Sequence, residues 1–229
     1  MKIGIIGAMA QETVLLKTKM SDIVEKQCYH LTFITGRLYQ HDIVLVQSGI
    51  GKVNSTIATT LLISQFDVDY VINTGSAGSL KKGLSIGDVV VSNQVAYHDA
   101  DATVFGYKVG QIPQMPLYYK ANEQLMAHAQ KAIEKVSLRA NVGEIVSADT
   151  FVAAPESIAR IQKYFPDALC TEMEGASIAQ TCHVLGVPFV VVRAISDNAD
   201  NEAPVSFDEF IVTAGEKSAQ MVLAMLEDM

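Results

Sequence analysis

The segment "PFVVVRAIS" (188–196) is apolar on both faces of an extended chain. A strand without a polar face must be covered on both sides, as in a sheet flanked by two layers of helices. Comparable runs rich in Val and Ile, bounded by Gly, Pro, Ser or Asp, recur as "KIGIIG", "LTFITG", "DIVLVQS", "YVINTG", "DVVVSNQVAY", "VGEIVSA" and "ALCTEM". Between them lie stretches of helical length near 9–21, 53–65, 122–136, 155–164, 174–185 and 206–227. Ser206, followed by Asp208 and Glu209, reads as the start of the last helix. The alternation predicts a three-layer α/β/α fold around a mostly parallel, mixed and twisted sheet.

The chain has 229 residues, nearly half of them hydrophobic, which suits one domain over 1–229 with a large core. Its net charge of −8 argues against a sequence-independent nucleic-acid binder, which needs a basic footprint. No apolar run approaches the ~20 residues of a membrane span. The start, "MKIGIIGAMA", has a lysine, an apolar stretch and an Ala-x-Ala ending. A single lysine and two interrupting glycines make it a first buried strand, not a signal peptide. Cys28, Cys170 and Cys182 are scattered and form no CxxC pair, which suggests reduced thiols in the cytosol.

Three familiar motifs are approached and missed. "GIIGAM" lacks the Gly-x-Gly pair of a dinucleotide site. "VQSGIGKV" has Val46 where a P-loop or a nucleophile elbow needs glycine, and Val53 where a P-loop needs Ser or Thr. His98, Asp99 and Asp101 lack a second histidine cluster to complete a metal shell, and read as a hydrogen-bonded loop. No metal or cofactor is expected. The stretch 97–120 is the longest without a clear element, and loops of that length tend to be functional.

In sheets of this class, ligands bind beyond the carboxyl ends of the strands. Polar residues in such places are Glu12, Ser76, Asp149, Glu172 with Glu174, and Arg193 with Asp197. Each has an ordinary alternative. Thr171 and Glu174 have the spacing of a capping box. Glu12 and Glu172 suit the first turns of helices. Asp197 suits a turn cap with Arg193 as its ion-pair partner.

A set of motifs carries a more specific signal: "KIGIIGAM" with Glu12, "SGIGKVN", "INTGSAG", "YHDADAT", "FGY", "GQIPQMP", "FPDA", "EMEG" and "VVVRAISD". Together they resemble the bacterial 5′-methylthioadenosine/S-adenosylhomocysteine nucleosidases of the nucleoside phosphorylase superfamily, from Met1 to the C-terminal helix. The resemblance implies a homodimer without cofactor that hydrolyses an adenine N-glycosidic bond. It assigns Asp197 as the acid that protonates adenine N7, Glu12 as the base for water, and Glu174 as the ribose ligand. Ser76 and Arg193 fall in the water's supporting network. Met173 is assigned to the ribose, Phe151 and the Val152 backbone to adenine, and Met9, Ile50, Glu172, Ser196 and Phe207 to the remaining pocket. Ala102, Phe105 and Pro113 match a segment that reaches into the neighbouring subunit's alkylthio pocket.

Some positions depart from that family's usual pattern. Ala10 and Gln11 stand where acids are more common before Glu12, and Val152 replaces an isoleucine. Ala148 stands where glycine is common, and a positive φ there would shift the adenine loop. Rival readings are a phosphate-dependent purine nucleoside phosphorylase and a non-catalytic nucleoside-binding protein. Asn73 and the "GAMAQE" loop lack the two arginines with which hexameric phosphorylases hold phosphate. The retained Glu12, Glu174 and Asp197 argue against a mere binder.

Overall fold

A computed structural model describes residues 1–136, 138–200 and 202–229. The strands are β1 (Lys2–Gly7), β2 (Ser21–Cys28), β3 (Leu31–Leu38), β4 (His41–Gln47), β5 (Tyr70–Ser79), β6 (Val89–Tyr97), β7 (Tyr119–Lys120), β8 (Ala140–Ser147), β9 (Ala168–Glu172) and β10 (Phe189–Asp197). The α-helices are α1 (Ala10–Lys19), α2 (Lys52–Phe66), α3 (Glu123–Lys135), α4 (Pro155–Tyr164), α5 (Gly175–Leu185) and α6 (Ala203–Asp228).

The strands form one mixed sheet. Parallel pairs are β1–β4, β1–β5, β5–β10, β6–β8 and β8–β9, and antiparallel ladders join β10–β6, β5–β9, β2–β3, β3–β4 and β6–β7. The expected mixed α/β sheet is present, with a larger antiparallel share than uniformly apolar strands suggested. β5 is shared: it runs beside β10 up to Gly78 and pairs with β9 at Gly78 and Ser79. The path β5–β10–β6–β8–β9 therefore returns to β5 and closes a ring, while β1, β4, β3 and β2 extend from it as an open sheet.

Side-chain alternation divides the core into two sides. Val190 and Val192 of β10, with Val89 and Val91 of β6, pack with Leu16 of α1, Leu125 of α3 and Met221 of α6. Phe189, Val191 and Ile195, with Val90, pack with Leu62 of α2 and Ile178 of α5. All nine residues of β10 are buried. This explains why its sequence has no polar face.

Four details differ from the sequence reading. β2 ("SDIVEKQC") is an exposed edge strand, with Asp22, Glu25 and Lys26 to discourage further pairing. β7 is only two residues long, within the stretch assigned to loop. α1 ends at Lys19, and β2 takes Ser21. α6 begins three residues before Ser206, because Pro204 supplies a first-turn residue that needs no amide donor.

Candidate active site

One cavity of about 320 Å³ opens at the rim where β5, β9 and β10 end. Its walls include Ala8, Met9 and Glu12 from the start of α1, and Ile50 ahead of α2. Ser76, Ala77 and Gly78 come from β5, and Thr150, Phe151 and Val152 from the loop after β8. Thr171, Glu172, Met173 and Glu174 come from the β9–α5 junction, Ser196 and Asp197 from β10, and Phe207 from α6. The rim placement puts Glu12, Ser76, Glu172, Glu174 and Asp197 in one space. Asp149 turns away, and Arg193 lies beneath the wall instead of in it.

Glu12 sits in the first turn of α1 and is buried. Its Oε2 accepts the backbone N–H groups of Ala8 (2.8 Å) and Met9 (3.0 Å). Its Oε1 accepts the Ser76 N–H at 2.9 Å and the Ser76 hydroxyl at 3.2 Å. Four donors face one carboxylate, and the hydroxyl alone can rotate away. Ala10 and Gln11 are exposed, so acids there would point to solvent, away from this arrangement.

Arg193 has the strand parity of Val191 and Ile195, yet it is a cation in an otherwise apolar layer, fully buried. Its Nη2 donates to Asn73 Oδ1 at 2.7 Å and to Glu172 Oε2, and lies 3.6 Å from Glu174 Oε2. The ion-pair partners are therefore Glu172 and Glu174, not Asp197. Nε and Nη1 are buried without a partner among the described residues. A methyl group at Gly75 would come within 2.1 Å of Nη1 and 2.7 Å of Glu12 Oε1, so the missing side chain makes room for both charges.

Glu172 is the structural anion of the group. Its Oε2 also accepts the N–H groups of Glu174 (3.0 Å) and Gly175 (2.7 Å), and Oε1 accepts the Ser147 hydroxyl. It thus satisfies N–H groups at the start of α5. Thr171 belongs to β9 and Glu174 is itself the N-cap residue, so the Thr171–Glu174 capping box does not form. Glu174 instead directs Oε1 to the Gly51 N–H at 2.8 Å. Burial pushes its carboxyl well above the usual range; Glu172 and Glu12 add to this, and Arg193 and the Gly51 N–H oppose it.

Asp197 follows a bulge. Ile195 pairs with Ala77 and Asp197 with Gly78, leaving Ser196 as the extra residue. Asp197 Oδ2 accepts the Ser196 hydroxyl and Oδ1 accepts the Ala199 N–H, both at 2.8 Å. The turn-capping role is real and coexists with a place in the cavity. Burial pushes the Asp197 carboxyl up; the two hydrogen bonds oppose this and Asp200 reinforces it. A methyl at Gly78 would lie 2.7 Å from Oδ1, so glycine is what lets the carboxylate lie over the β5 backbone.

Phe151 and Phe207 meet edge to face, with centroids 5.5 Å apart. Ala148 is not among the residues with positive φ, so the condition for a shifted loop is absent. Ala102, Phe105 and Pro113 do not line the cavity of the single chain; Phe105, in a 3-10 turn over Thr103–Phe105, is 78% exposed. His98, Asp99 and Asp101 go to separate partners: His98 Nε2 to Thr171 Oγ1 (3.2 Å), Asp99 to Lys52, and Asp101 to Thr103. Sequence reasoning missed Ser147, which joins Glu172 to the Ala176 N–H, and missed the commitment of Asn73 to Arg193. Neither lies in a motif whose spacing signals such a contact.

The sequence model of the phosphorylase superfamily matches residues 2–227. A 5′-methylthioadenosine/S-adenosylhomocysteine nucleosidase of Staphylococcus haemolyticus is 48% identical over 225 residues, 98% of this chain and 99% of that protein. The S-adenosylhomocysteine nucleosidase of Streptococcus pyogenes, solved with 5-methylthiotubericidin, superposes with a TM-score of 0.98. It is 45% identical and is covered over 97% of its chain by 100% of this one. The Colwellia psychrerythraea 5′-methylthioadenosine/S-adenosylhomocysteine nucleosidase, solved with adenine, gives a TM-score of 0.98 at 47% identity, with 100% of this chain and 95% of that chain covered. The chain belongs to the phosphorylase superfamily and, within it, to the family of the 5′-methylthioadenosine/S-adenosylhomocysteine nucleosidases.

Proposed function

We propose that this chain is an N-glycosyl hydrolase that cleaves 5′-methylthioadenosine and S-adenosylhomocysteine to adenine and the free thioribose sugar. The observation that carries the reading is the cavity's charge. Glu12, Glu172, Glu174 and Asp197 line it, and among the described residues its walls contain no lysine or arginine. Such a site suits a transition state in which positive charge builds on the sugar, as in other glycosyl transfers. It disfavours phosphate as a co-substrate, because an anion needs cationic groups or a row of free backbone donors.

Burial raises the Asp197 pKa, which favours the protonated carboxyl that a donor to adenine N7 requires, so that the base does not leave as an anion. Phe151 and Phe207 supply aromatic surface for the purine, and the Val152 backbone its polar edge. Glu174 accepts the two ribose hydroxyls. Its carboxyl is costly to ionise in the empty cavity, and a developing cation beside it favours the ionised form. Met173 and Met9 flank the sugar; Ile50 and Ser196 complete the walls. Glu12 takes the proton of the attacking water: rotation of the Ser76 hydroxyl frees a lone pair of Oε1, while Arg193 stays beneath the wall on the Gly75 side of that carboxylate.

Phosphate-free incubation with 5′-methylthioadenosine tests the reading. Free adenine and methylthioribose are expected; no adenine release, or release only with phosphate, would overturn it.

We read the chain as one domain that works as a homodimer. Val104 and Phe105 are 84% and 78% exposed, and Val53 and Val184 add apolar surface. Ala102, Phe105 and Pro113 would complete the partner's alkylthio pocket. A fully active monomer in solution would refute this. The three free thiols fit a reducing compartment such as the cytosol. Among the described residues no helix is long and apolar enough to cross a membrane.

A further inference from the structure

Lys52 opens α2, one residue after the Gly51 N–H that holds Glu174. Its ammonium lies 2.6 Å from Asp99 Oδ2 and 3.7 Å from Asp149 Oδ2. It also sits 5.4 Å from the centroid of the Tyr97 ring, within reach of a cation–π contact. The backbone completes the arrangement. The Lys52 N–H donates to Asp149 Oδ1 at 2.8 Å, and the Asp149 N–H donates to Asp99 Oδ2 at 3.1 Å. Each of the three residues touches the other two, so three chain segments are tied at one point: the start of α2, the loop after β6, and the loop after β8.

Each tied segment has a bearing on the cavity. Ile50 and Gly51 precede Lys52, and both face the site. Asp99 leads into the segment with Ala102 and Phe105. Asp149 is followed at once by Thr150, Phe151 and Val152, which are wall residues without regular secondary structure. A loop of that kind has few internal bonds to fix it. Among the described residues Asp99 Oδ1 is buried with no hydrogen-bond partner, and Lys52 is the cation paired with Asp99. Without the lysine, the carboxylates of Asp99 and Asp149 would be left close together with no cation between them. The Lys52 and Asp99 side chains are only 26% and 28% exposed, which limits screening by solvent.

We propose that Lys52 is a positioning residue for substrate binding, acting through Asp99 and Asp149 to fix the loop that forms the Phe151–Val152 wall against the Gly51–Glu174 contact. None of the three residues lines the cavity, so the effect falls on binding, not on the chemical step. The substrate used in the test rests on the hydrolase reading; the tie itself does not.

Lys52→Met keeps an apolar stem over Tyr97 and removes the charge. Loss of a partly buried charge network of this size should raise KM for 5′-methylthioadenosine and Ki for adenine together by about 3–10-fold, with kcat within about twofold. Because the pair acts as one contact, Lys52→Met/Asp99→Asn should be no worse than Lys52→Met alone. Hydrogen exchange on the ligand-free protein gives a second readout, independent of activity. Amides 150–152 should exchange faster in Lys52→Met, while those of β8 and β10 stay protected. Unchanged KM, Ki and exchange would overturn the proposal. So would a fall in kcat at constant KM, additive effects in the double variant, or loosened exchange across the whole fold. Were the wild type to release no adenine, the hydrolase reading would fail, and the exchange measurement alone would decide the tie.

Discussion

Asn73 Oδ1 accepts a 2.7 Å hydrogen bond from Arg193 Nη2, while Asn73 Nδ2 donates to the Ile6 carbonyl at 2.9 Å. Both ends of this buried amide are engaged below the cavity, and among the described residues no lysine or arginine lines the cavity to hold an anion. Adenine release should therefore proceed at the same rate in phosphate-free buffer and in phosphate buffer of matched ionic strength. Chromatography of the sugar product checks this, and sugar 1-phosphate as the main product would contradict it.

Asp197→Asn removes the transferable proton but keeps an oxygen for the Ala199 N–H. Turnover should fall by about 10²–10⁴-fold, the usual cost of losing a positioned general acid. Stability should move the other way. A carboxyl whose folded pKa is raised contributes stability at low pH and loses it as pH rises through the folded pKa. The variant should thus melt at or above the wild type at pH 7, and the difference should disappear near pH 4. Melting curves and adenine release on one preparation check both parts. Near wild-type turnover would sink the acid assignment.

Glu12→Gln should behave differently, although it is the same chemical change. Both Glu12 oxygens accept backbone N–H groups, so an amide nitrogen must face at least one donor. A buried donor left unpaired costs about 1–3 kcal/mol. The expected outcome is lost turnover together with a lower melting temperature. A variant as stable as the wild type would show that α1 does not need this carboxylate.

His41 is buried at the start of β4, with Nε2 donating to the Leu226 carbonyl at 3.2 Å and Nδ1 without a partner among the described residues. Burial lowers its pKa, as it does that of His98. Depressed histidines contribute stability above their unfolded pKa of ~6.5, which is lost as pH falls toward the folded value. The histidine contribution to the melting temperature should decline between pH 7 and 5, against the opposite contribution of the raised Glu174 and Asp197 carboxyls. His41→Gln keeps a donor for Leu226 but cannot gain a proton, so the decline should be shallower in that variant; an identical pH profile would exclude His41 as a contributor.

The elements the sequence disclosed best were those whose pattern answers to burial alone. β10, β6 and β1 were legible because apolar residues on both faces leave little choice of environment. β2 was not, since its exposed mixture of charges and apolar residues carries no periodic demand. The cavity acids were legible because each ends a recognisable strand or opens a helix, and their motif matches a known family. Asp149 shares that position but is drawn to Lys52, a contact between residues 97 positions apart that no local pattern encodes. The ordinary alternative for Arg193 paired it with its neighbour in sequence, Asp197. Strand alternation instead aims it toward Glu172 and Glu174, and the bulge at Ser196 turns Asp197 to the Ala199 N–H.

The return of the strand path to β5 has a consequence for how this molecule can vary. In an open sheet, an outer strand can slide by two residues and keep its inward face. Here β5, β10, β6, β8 and β9 each have neighbours on both sides, so a slip in one must be absorbed all around the circuit. Insertions or deletions within these strands would displace Ser76, Glu172 and Asp197 relative to one another. Length changes should instead gather where the chain leaves the circuit, as at the exposed edge strand β2, away from the cavity. The same scaffold can thus vary at its open edge while the spacing of its acids remains fixed.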